Sequence, residues 1–257
     1  MVITKNIVSA GVVYDCGISR ADIQDLKGLL RRDQLESHLD IRSDASVSVP
    51  RHFDDSSAWK SDAEISFWSN SKSDLTNFLS YLKYSNAITN ITCGMRIYFK
   101  LENTPKALAV FSSCVVRRDF KRDYLKFAKS KIHDYDLKMF LNMHLNTNCT
   151  QNLLVKQLAA NPKYSYAAYT QISLASFYKT GAIEVKGIPA MRYPEDKIVM
   201  NWVIREVSEL YNKYKNNKKI LANYKKLVSK IEKITPRGIP GWVSKHRVSP
   251  LATKDTY

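Results

Sequence analysis

Apolar and polar positions follow a helical period between residues 194 and 234. Steps of four and three residues alternate along positions that are apolar or aromatic except for one asparagine: Val203, Val207, Leu210, Tyr214, Asn217, Leu221, Tyr224, Val228 and Ile231. This spacing predicts a helix that packs one side against neighbouring elements, and lysines crowd its other positions. Pro194 favours a helix start, whereas Asn216-Asn217 interrupts the pattern. The segment is therefore either one long basic C-terminal helix or a helical hairpin.

Two stretches favour strands of an antiparallel sheet. Residues 95–101 and 107–116 are rich in β-branched and aromatic side chains, and Pro105 between them fits a turn. The second stretch is apolar on both faces, so we expect it in the centre of the sheet. Helical spacing predicts further helices at residues 73–84 and 117–132. The predicted fold class is α+β, predominantly helical, with a small antiparallel sheet and the basic C-terminal helix or hairpin.

Charge is distributed unevenly along the chain. The net charge is +16; residues 1–95 contain 10 Lys and Arg against 12 Asp and Glu, whereas residues 96–257 contain 30 against 12. We therefore predict a mildly acidic N-terminal region, 1–94, with a Ser/Asp-rich loop, and a basic α+β region, 95–257, with the C-terminal helix and a tail. No composition typical of a linker marks the boundary, so one continuous domain is the alternative.

A field this uneven predicts attraction to a polyanion, and nucleic acid, DNA or RNA, is the commonest one. Phosphates are expected to contact basic side chains of the helix at 117–132 and of the tail, while Tyr124 and a tail tryptophan stack on unpaired bases. The predicted nucleic-acid-binding residues are Arg117, Arg118, Lys121, Arg122, Arg237, Trp242, Lys245 and Arg247. The competing interpretation is that the helix arginines pair with Asp119, Asp123 or the acidic N-terminal region.

Glu184 and Lys186 indicate a second function. The triplet Glu-x-Lys resembles half of a common metal-dependent nuclease pattern, in which carboxylates hold the metal and Lys orients the attacking water. The missing half is an Asp on a preceding strand, and none occurs between residues 139 and 184. A further metal hypothesis combines two imidazoles and two carboxylates, those of His133, Asp134, Asp136 and His144, since Asp136 precedes His144 by about two helical turns.

The sequence lacks the motifs of several other enzyme and cofactor-binding classes. The sequence has no Gly-rich phosphate loop, serine nucleophile elbow, HExxH motif or dinucleotide fingerprint, and its four cysteines are far apart without a CxxC pair. We therefore expect no cofactor, no metal site and reduced thiols. No apolar run approaches the ~20 residues that span a bilayer, and the first residues lack an apolar signal core. The expected location is cytoplasmic or within a virion, without membrane contact or secretion.

Together these features predict a non-enzymatic nucleic-acid-associated protein. The split charge and the extended basic end fit a packaging, nucleocapsid-like or virion-assembly component. The acidic region of one copy can face the basic region of the next, which predicts self-association. One alternative is a metal-dependent nuclease, or another nucleic-acid enzyme, that uses Glu184 and Lys186. The other is a self-assembling structural subunit without nucleic-acid binding.

Overall fold

The structure, a computed structural model, describes residues 3–43, 60–89, 93–131, 171–174, 181–190 and 194–234. Within these ranges it contains six α-helices and one six-stranded antiparallel sheet, which confirms the predicted α+β class. The strands are β1 (Ile7–Ser19), β2 (Leu39–Ser43), β3 (Lys60–Ser69), β4 (Gly94–Leu101), β5 (Ile172–Ser173) and β6 (Ile183–Pro189). The helices are α1 (Arg20–Arg32), α2 (Lys72–Tyr84), α3 (Thr104–Phe111), α4 (Cys114–Lys131), α5 (Glu195–Tyr214) and α6 (Lys218–Ile234).

The first part of the chain forms a recognisable supersecondary arrangement. Its helices and strands run β1-α1-β2-β3-α2-β4 along the chain, and the strands lie in the order β2-β3-β1-β4 with every neighbouring pair antiparallel. Each of α1 and α2 therefore joins two parallel strands that are separated by an antiparallel one. This is the split-βαβ, or ferredoxin-like, arrangement. β6 and then β5 extend the sheet beyond β4.

Alternation along the strands gives the sheet two unlike faces. Ile65 and Phe67 of β3 and Ile97 and Phe99 of β4 are fully buried in the hydrophobic core, together with side chains of α1 and α2. Phe67 stacks on Phe78 of α2 with their ring centroids 4.8 Å apart. The alternate positions carry mostly polar or aromatic side chains, and we call the following set the polar sheet face: Asp15, Glu64, Trp68, Arg96, Tyr98, Lys100, Glu184 and Lys186.

The prediction of a strand at residues 107–116 is wrong. Residues 107–111 belong to α3, residues 112 and 113 join the two helices, and residues 114–116 begin α4. The side chain of Asn103 caps α3 by accepting a hydrogen bond from the backbone N–H of Lys106 at 3.0 Å, and Pro105 lies in the first turn. Seven of the eight α3 residues are buried. A helix that is apolar all round has the same sequence pattern as a central strand, so periodicity did not separate them. Residues 95–101 do form a strand, β4.

The predicted C-terminal segment is divided into two helices, α5 and α6, with residues 215–217 between them. Asn217 accounts for the break: its side chain accepts from the N–H of Ile220 at 3.1 Å, and its carbonyl accepts from the N–H of Leu221 at 3.0 Å. α5 contacts α2, α3 and α4, whereas α6 contacts α3. The single long helix is therefore not formed. The predominance of helix over the whole chain stays a prediction.

The predicted boundary between residues 94 and 95 falls inside β4. This strand pairs with β1 on one side and with β6 on the other. One continuous cluster of buried apolar residues includes side chains of β1, α1, β4, α4 and α5. The sheet and the core thus join parts of the chain from both sides of that boundary. None of the described helices combines the length and apolarity needed to cross a bilayer.

Candidate nucleic-acid interface

Aromatic packing fixes the orientation of α4. Trp202 of α5 lies against Phe120, Tyr124 and Phe127, with ring-centroid distances of 5.8, 5.7 and 4.7 Å. The hydroxyl of Tyr124 donates to the carbonyl of Gly187 at 3.0 Å, which ties α4 to β6. Burying a large apolar side chain contributes about 1.5–3 kcal/mol, so this row holds α4 firmly. Tyr124 is 1% exposed and is not available to stack on a base, contrary to the sequence-based expectation.

The opposite side of α4 carries a row of exposed cations. We call Arg118, Arg122, Lys126 and Lys129 the α4 cation stripe; all four side chains are exposed. Their spacing of four, four and three residues places them on one side of the helix over about 16 Å. Lys121, which is partly exposed, flanks the stripe. Within the described part of the chain, Arg122 is the member of the stripe that forms ion pairs.

Arg122 is paired with two carboxylates of its own helix. Its guanidinium lies 3.1 Å from Asp119 and 2.9 Å from Asp123. Asp119 also accepts from the hydroxyl of Tyr214 at 2.6 Å and from Lys213 at 3.2 Å, and these two donors hold the pKa of Asp119 below its usual range. The ion-paired interpretation therefore applies to Arg122. The side chain is still 54% exposed, and exposed pairs of this kind contribute little to stability.

Arg117, which was predicted to bind nucleic acid, does not lie with the exposed cations of α4. Its side chain lies on the buried side of α4 and the residue is only 8% exposed. Its Nε donates to the carbonyl of Phe111, the last residue of α3, at 2.7 Å. A cation at the C-terminal end of a helix is favoured by the helix dipole and satisfies a carbonyl that has no partner inside the helix. Arg117 therefore connects α3 to α4 from the buried side of the helix.

The remaining predicted residues lie outside the described ranges. These are Arg237, Trp242, Lys245 and Arg247 of the tail, which stay predictions. The residues of the further metal hypothesis, His133, Asp134, Asp136 and His144, also lie outside them. Close to the tail in sequence, α6 exposes Lys218, Lys219, Lys225 and Lys226, and none of these has an ion pair within the described residues.

Glu206 of α5 is a titratable group close to α4. Burial, followed by the negative charges of Asp123 and Glu209, raises its pKa from 4.5 to about 7. A carboxyl in such surroundings binds a proton near neutral pH, because the charged form is disfavoured both by lost hydration and by like charges. The contact between α4 and α5 is therefore expected to respond to pH.

A pocket of about 340 Å³ lies between the α3–α4 junction and α6. Its lining includes Ser112, Ser113, Cys114 and Lys226. The hydroxyl of Ser112 donates to the carbonyl of Ala109 at 3.0 Å. Among the described residues that line the pocket there is no His, Asp or Glu, so these residues bring no general base to the serines or the cysteine.

Glu184 and Lys186 form an ion pair on β6, in which the carboxylate is buried and the amine is partly exposed. Glu184 is 1% exposed; it accepts a hydrogen bond from the hydroxyl of Tyr98 at 2.7 Å and lies 3.3 Å from the amine of Lys186. Burial and the neighbouring Glu184 charge raise the pKa of Tyr98. Within the described residues no group of three His, Cys, Asp or Glu side chains is placed to hold a metal ion. The nuclease alternative stays a prediction.

Arg96 connects three strands of the polar sheet face. Its Nη2 lies 2.8 Å from the carboxylate of Asp15 on β1 and 2.5 Å from that of Glu64 on β3. Asp15 also accepts from the backbone N–H of Gly94 at 3.3 Å. Two carboxylates thus share one guanidinium, which reduces the local negative charge from two to one.

Trp68 lies beside this network and covers a glycine. The register pairs Trp68 with Gly11, and Gly11 in turn with Tyr98. A Cβ added to Gly11 would stand 2.6 Å from two ring atoms of Trp68, so the indole rests directly on the backbone of β1. The rings of Trp68 and Tyr98 are 5.6 Å apart, and the amine of Lys100 lies 5.5 Å from the Trp68 ring centroid. Trp68 keeps part of its surface exposed.

Apart from Glu184 and Lys186, the residues of the polar sheet face were not predicted from the sequence. The signal of this face was present in β3, where Ala63, Ile65 and Phe67 alternate with Glu64, Ser66 and Trp68. The residues just before this alternation are rich in Ser and Asp, a composition typical of a loop, and this obscures where the strand begins. The partners across the sheet are separated by 30 residues or more and depend on the strand order.

Comparison of the chain with known proteins gives no relative. No family model matches it, and neither the curated proteins nor the solved structures contain a match. A shared supersecondary arrangement does not define an activity, because the same arrangement serves many unrelated functions. The function is therefore inferred from the charges and side chains of the described residues.

Proposed function

We propose that the chain is a non-enzymatic nucleic-acid-associated protein that holds phosphate backbone against the α4 cation stripe. The observation that carries the proposal is the stripe: Arg118, Arg122, Lys126 and Lys129 are exposed on one side of a helix whose other side is packed against Trp202. A helix held in this way presents cations at fixed intervals, so little backbone ordering is needed on binding. The net charge of +16 adds long-range attraction for a polyanion.

The two arginines are the strongest phosphate ligands of the stripe. A guanidinium can donate two parallel hydrogen bonds to one phosphate, whereas an ammonium acts as a point charge. Arg118 donates its Nε to the carbonyl of Cys114 at 3.3 Å and forms no ion pair within the described residues. Arg122 has to exchange Asp119 and Asp123 for phosphate, and its exposure makes that exchange inexpensive. Asp119 keeps the hydrogen bonds from Tyr214 and Lys213.

A charge-matched pair of variants tests this proposal. In the first, the four residues of the α4 cation stripe are replaced by Gln. In the control, four cations of α1 are replaced by Gln, so that the net charge falls equally: Arg20, Lys27, Arg31 and Arg32. Affinity for a labelled oligonucleotide, measured by fluorescence anisotropy at one salt concentration, is expected to fall much further for the stripe variant. Equal losses in the two variants would show that total charge, and not this surface, governs binding.

The proposal extends to an assembly role. A packaging, nucleocapsid-like or virion-assembly component, located in the cytoplasm or in a virion, would place its basic surfaces against nucleic acid and its acidic N-terminal region against a neighbouring copy. Support comes from the charge division, 10 Lys and Arg against 12 Asp and Glu in residues 1–95 and 30 against 12 in residues 96–257. Light scattering with and without nuclease treatment tests it. Assemblies that dissolve after nuclease support the role, assemblies that survive unchanged favour a structural subunit, and a monomer in both samples contradicts self-association.

A further inference from the structure

We propose that Trp68 on the polar sheet face stacks on an unpaired nucleobase, so that the chain prefers single-stranded nucleic acid to a duplex. This inference rests on the proposed function and adds a second contact to it, made by residues outside α4. The α4 cation stripe would hold the phosphate backbone, which single and double strands share. Trp68 would supply the part of the interaction that requires a base free of its partner.

The position of Trp68 makes its indole a rigid platform. One side of the ring rests on Gly11, where an added Cβ would stand 2.6 Å from Cδ2 and Cε2 of the indole. Tyr98 borders the ring at 5.6 Å with an interplanar angle of 45°. Gly11 is therefore required by the close approach of the ring to β1, because any side chain there would lift the indole. A ring supported in this way loses little conformational freedom when a flat ligand stacks on it.

The charges around Trp68 favour a nucleotide over an uncharged aromatic ligand. The amine of Lys100 lies over the Trp68 ring, 5.5 Å from its centroid, and forms no ion pair within the described residues. A base that stacks on the indole has to displace this amine from the ring, and the displaced cation can then meet the phosphate of the same nucleotide. The nearby acids are already engaged: Asp15 and Glu64 with Arg96, and Glu184 with Lys186 and Tyr98. They therefore oppose a phosphate less than free carboxylates would.

The supported indole and the nearby cation of Lys100 together fit an unpaired base with its phosphate. Stacking needs only a π-face and is tolerant of sequence, which suits a protein that otherwise contacts backbone. Trp68 retains exposed surface although it lies among the buried side chains of Val13, Tyr98 and Ala182. A duplex keeps its bases stacked and paired, so it cannot use this platform without local opening.

Affinities for a single strand and for the matched duplex test the inference. Trp68→Leu keeps apolar bulk but removes the aromatic face, and Trp68→Phe keeps a smaller one. Trp68→Leu is expected to weaken single-strand binding roughly 5- to 100-fold, with Trp68→Phe between it and the wild type. Duplex affinity and the salt dependence of binding should stay unchanged, since the stack carries no charge. Circular dichroism establishes that each variant is folded.

A second variant keeps the inference testable if Trp68→Leu unfolds. Lys100→Gln, on a partly exposed side chain, is expected to lower the salt dependence of single-strand binding by about one unit and to leave duplex binding unaltered. Quenching of tryptophan emission by an unlabelled oligonucleotide should also be smaller in Trp68→Phe than in the wild type. Equal weakening of single strand and duplex by these substitutions would overturn the inference.

The failures of the two proposals are distinguishable. Binding that depends on the α4 cation stripe but not on Trp68 would reject the stacking platform and leave the proposed function in place. Loss of self-association in Trp68→Leu, with oligonucleotide affinity unchanged, would instead identify the polar sheet face as a contact between copies. The absence of any oligonucleotide binding in the wild type would reject both proposals.

Discussion

The substitution Gly11→Ala is expected to destabilise the folded chain by about 1–2 kcal/mol. The new Cβ would stand 2.6 Å from Cδ2 and Cε2 of Trp68 and 2.9 Å from Cε3. Carbon atoms in comfortable contact are about 3.5–4.0 Å apart, so the indole must lift or β1 must bend by about 1 Å. Overpacking of this kind costs about 1–3 kcal/mol. Alanine inside a strand regains about 0.5–1 kcal/mol relative to glycine, which reduces the net cost.

Urea unfolding followed by far-ultraviolet circular dichroism measures this change through the shift of the midpoint. The decisive comparison is a double-mutant cycle with Trp68→Ala. Without the indole, Gly11→Ala should be neutral or stabilising by up to about 1 kcal/mol, which gives a coupling energy of about 2 kcal/mol between the two positions. A cost that is the same with and without Trp68 would refute the reasoning. It would mean that the indole does not rest on Gly11, and the stacking platform would lose its basis.

Three further stability predictions concern polar groups that are buried or partly buried. Arg117→Met should cost about 2 kcal/mol in urea unfolding, since it leaves a helix-end carbonyl without its charged donor, whereas Arg118→Met should stay within about 0.5 kcal/mol; similar costs for both would contradict the burial of Arg117. Because the pKa of Glu206 rises from 4.5 unfolded to about 7 folded, the folded state binds the proton more tightly, so stability should fall as pH rises from 4.5 to 7. Glu206→Gln should remove about 1 kcal/mol of this pH dependence, a figure reduced for its half-exposed position; an unchanged pH profile would refute the assignment. Tyr98→Phe removes a donor from a buried carboxylate and should cost about 1–3 kcal/mol, whereas Tyr81→Phe, whose hydroxyl donates at the surface, should cost less; equal losses would contradict this account.

The fold class followed from the sequence, but the assignment of individual elements depended on local chemistry. The strand at residues 95–101 was predicted because its β-branched and aromatic residues fit a pleated surface. α3 was mistaken for a strand, although Asn103 followed by Pro105 is typical of a capped helix start. Once a segment is apolar on all sides, these capping residues carry more information than its period.

Part of the candidate interface was also readable from spacing. Arg117 stands three, seven and eleven residues before Phe120, Tyr124 and Ala128, all of which are buried, so a helical projection already places it on the inner side of α4. The same projection groups Arg118 with the exposed cations. By contrast, the contacts of Arg96 with Asp15 and Glu64 join residues 81 and 32 positions apart, and no local pattern specifies them.

The polar sheet face shows why tertiary context was needed. The alternation of apolar and polar residues along β3 places Glu64 and Trp68 on the same face of the sheet. The sequence does not tell which strand lies beside them. Only the order β3-β1-β4 brings Trp68, Gly11 and Tyr98 together. The pairing of strands that are distant in sequence therefore created the candidate stacking platform.

The salt dependence of oligonucleotide affinity tests the central claim most directly. Binding of a labelled single strand is measured between about 50 and about 200 mM salt for the wild type, the α4 stripe variant and the α1 control, and the logarithm of affinity is plotted against that of salt concentration. The four stripe cations are expected to contribute about three units of slope, so the stripe variant should lose about that much while the control keeps the wild-type slope. A slope that is identical in the stripe variant and the wild type would contradict the claim that phosphates bind along α4.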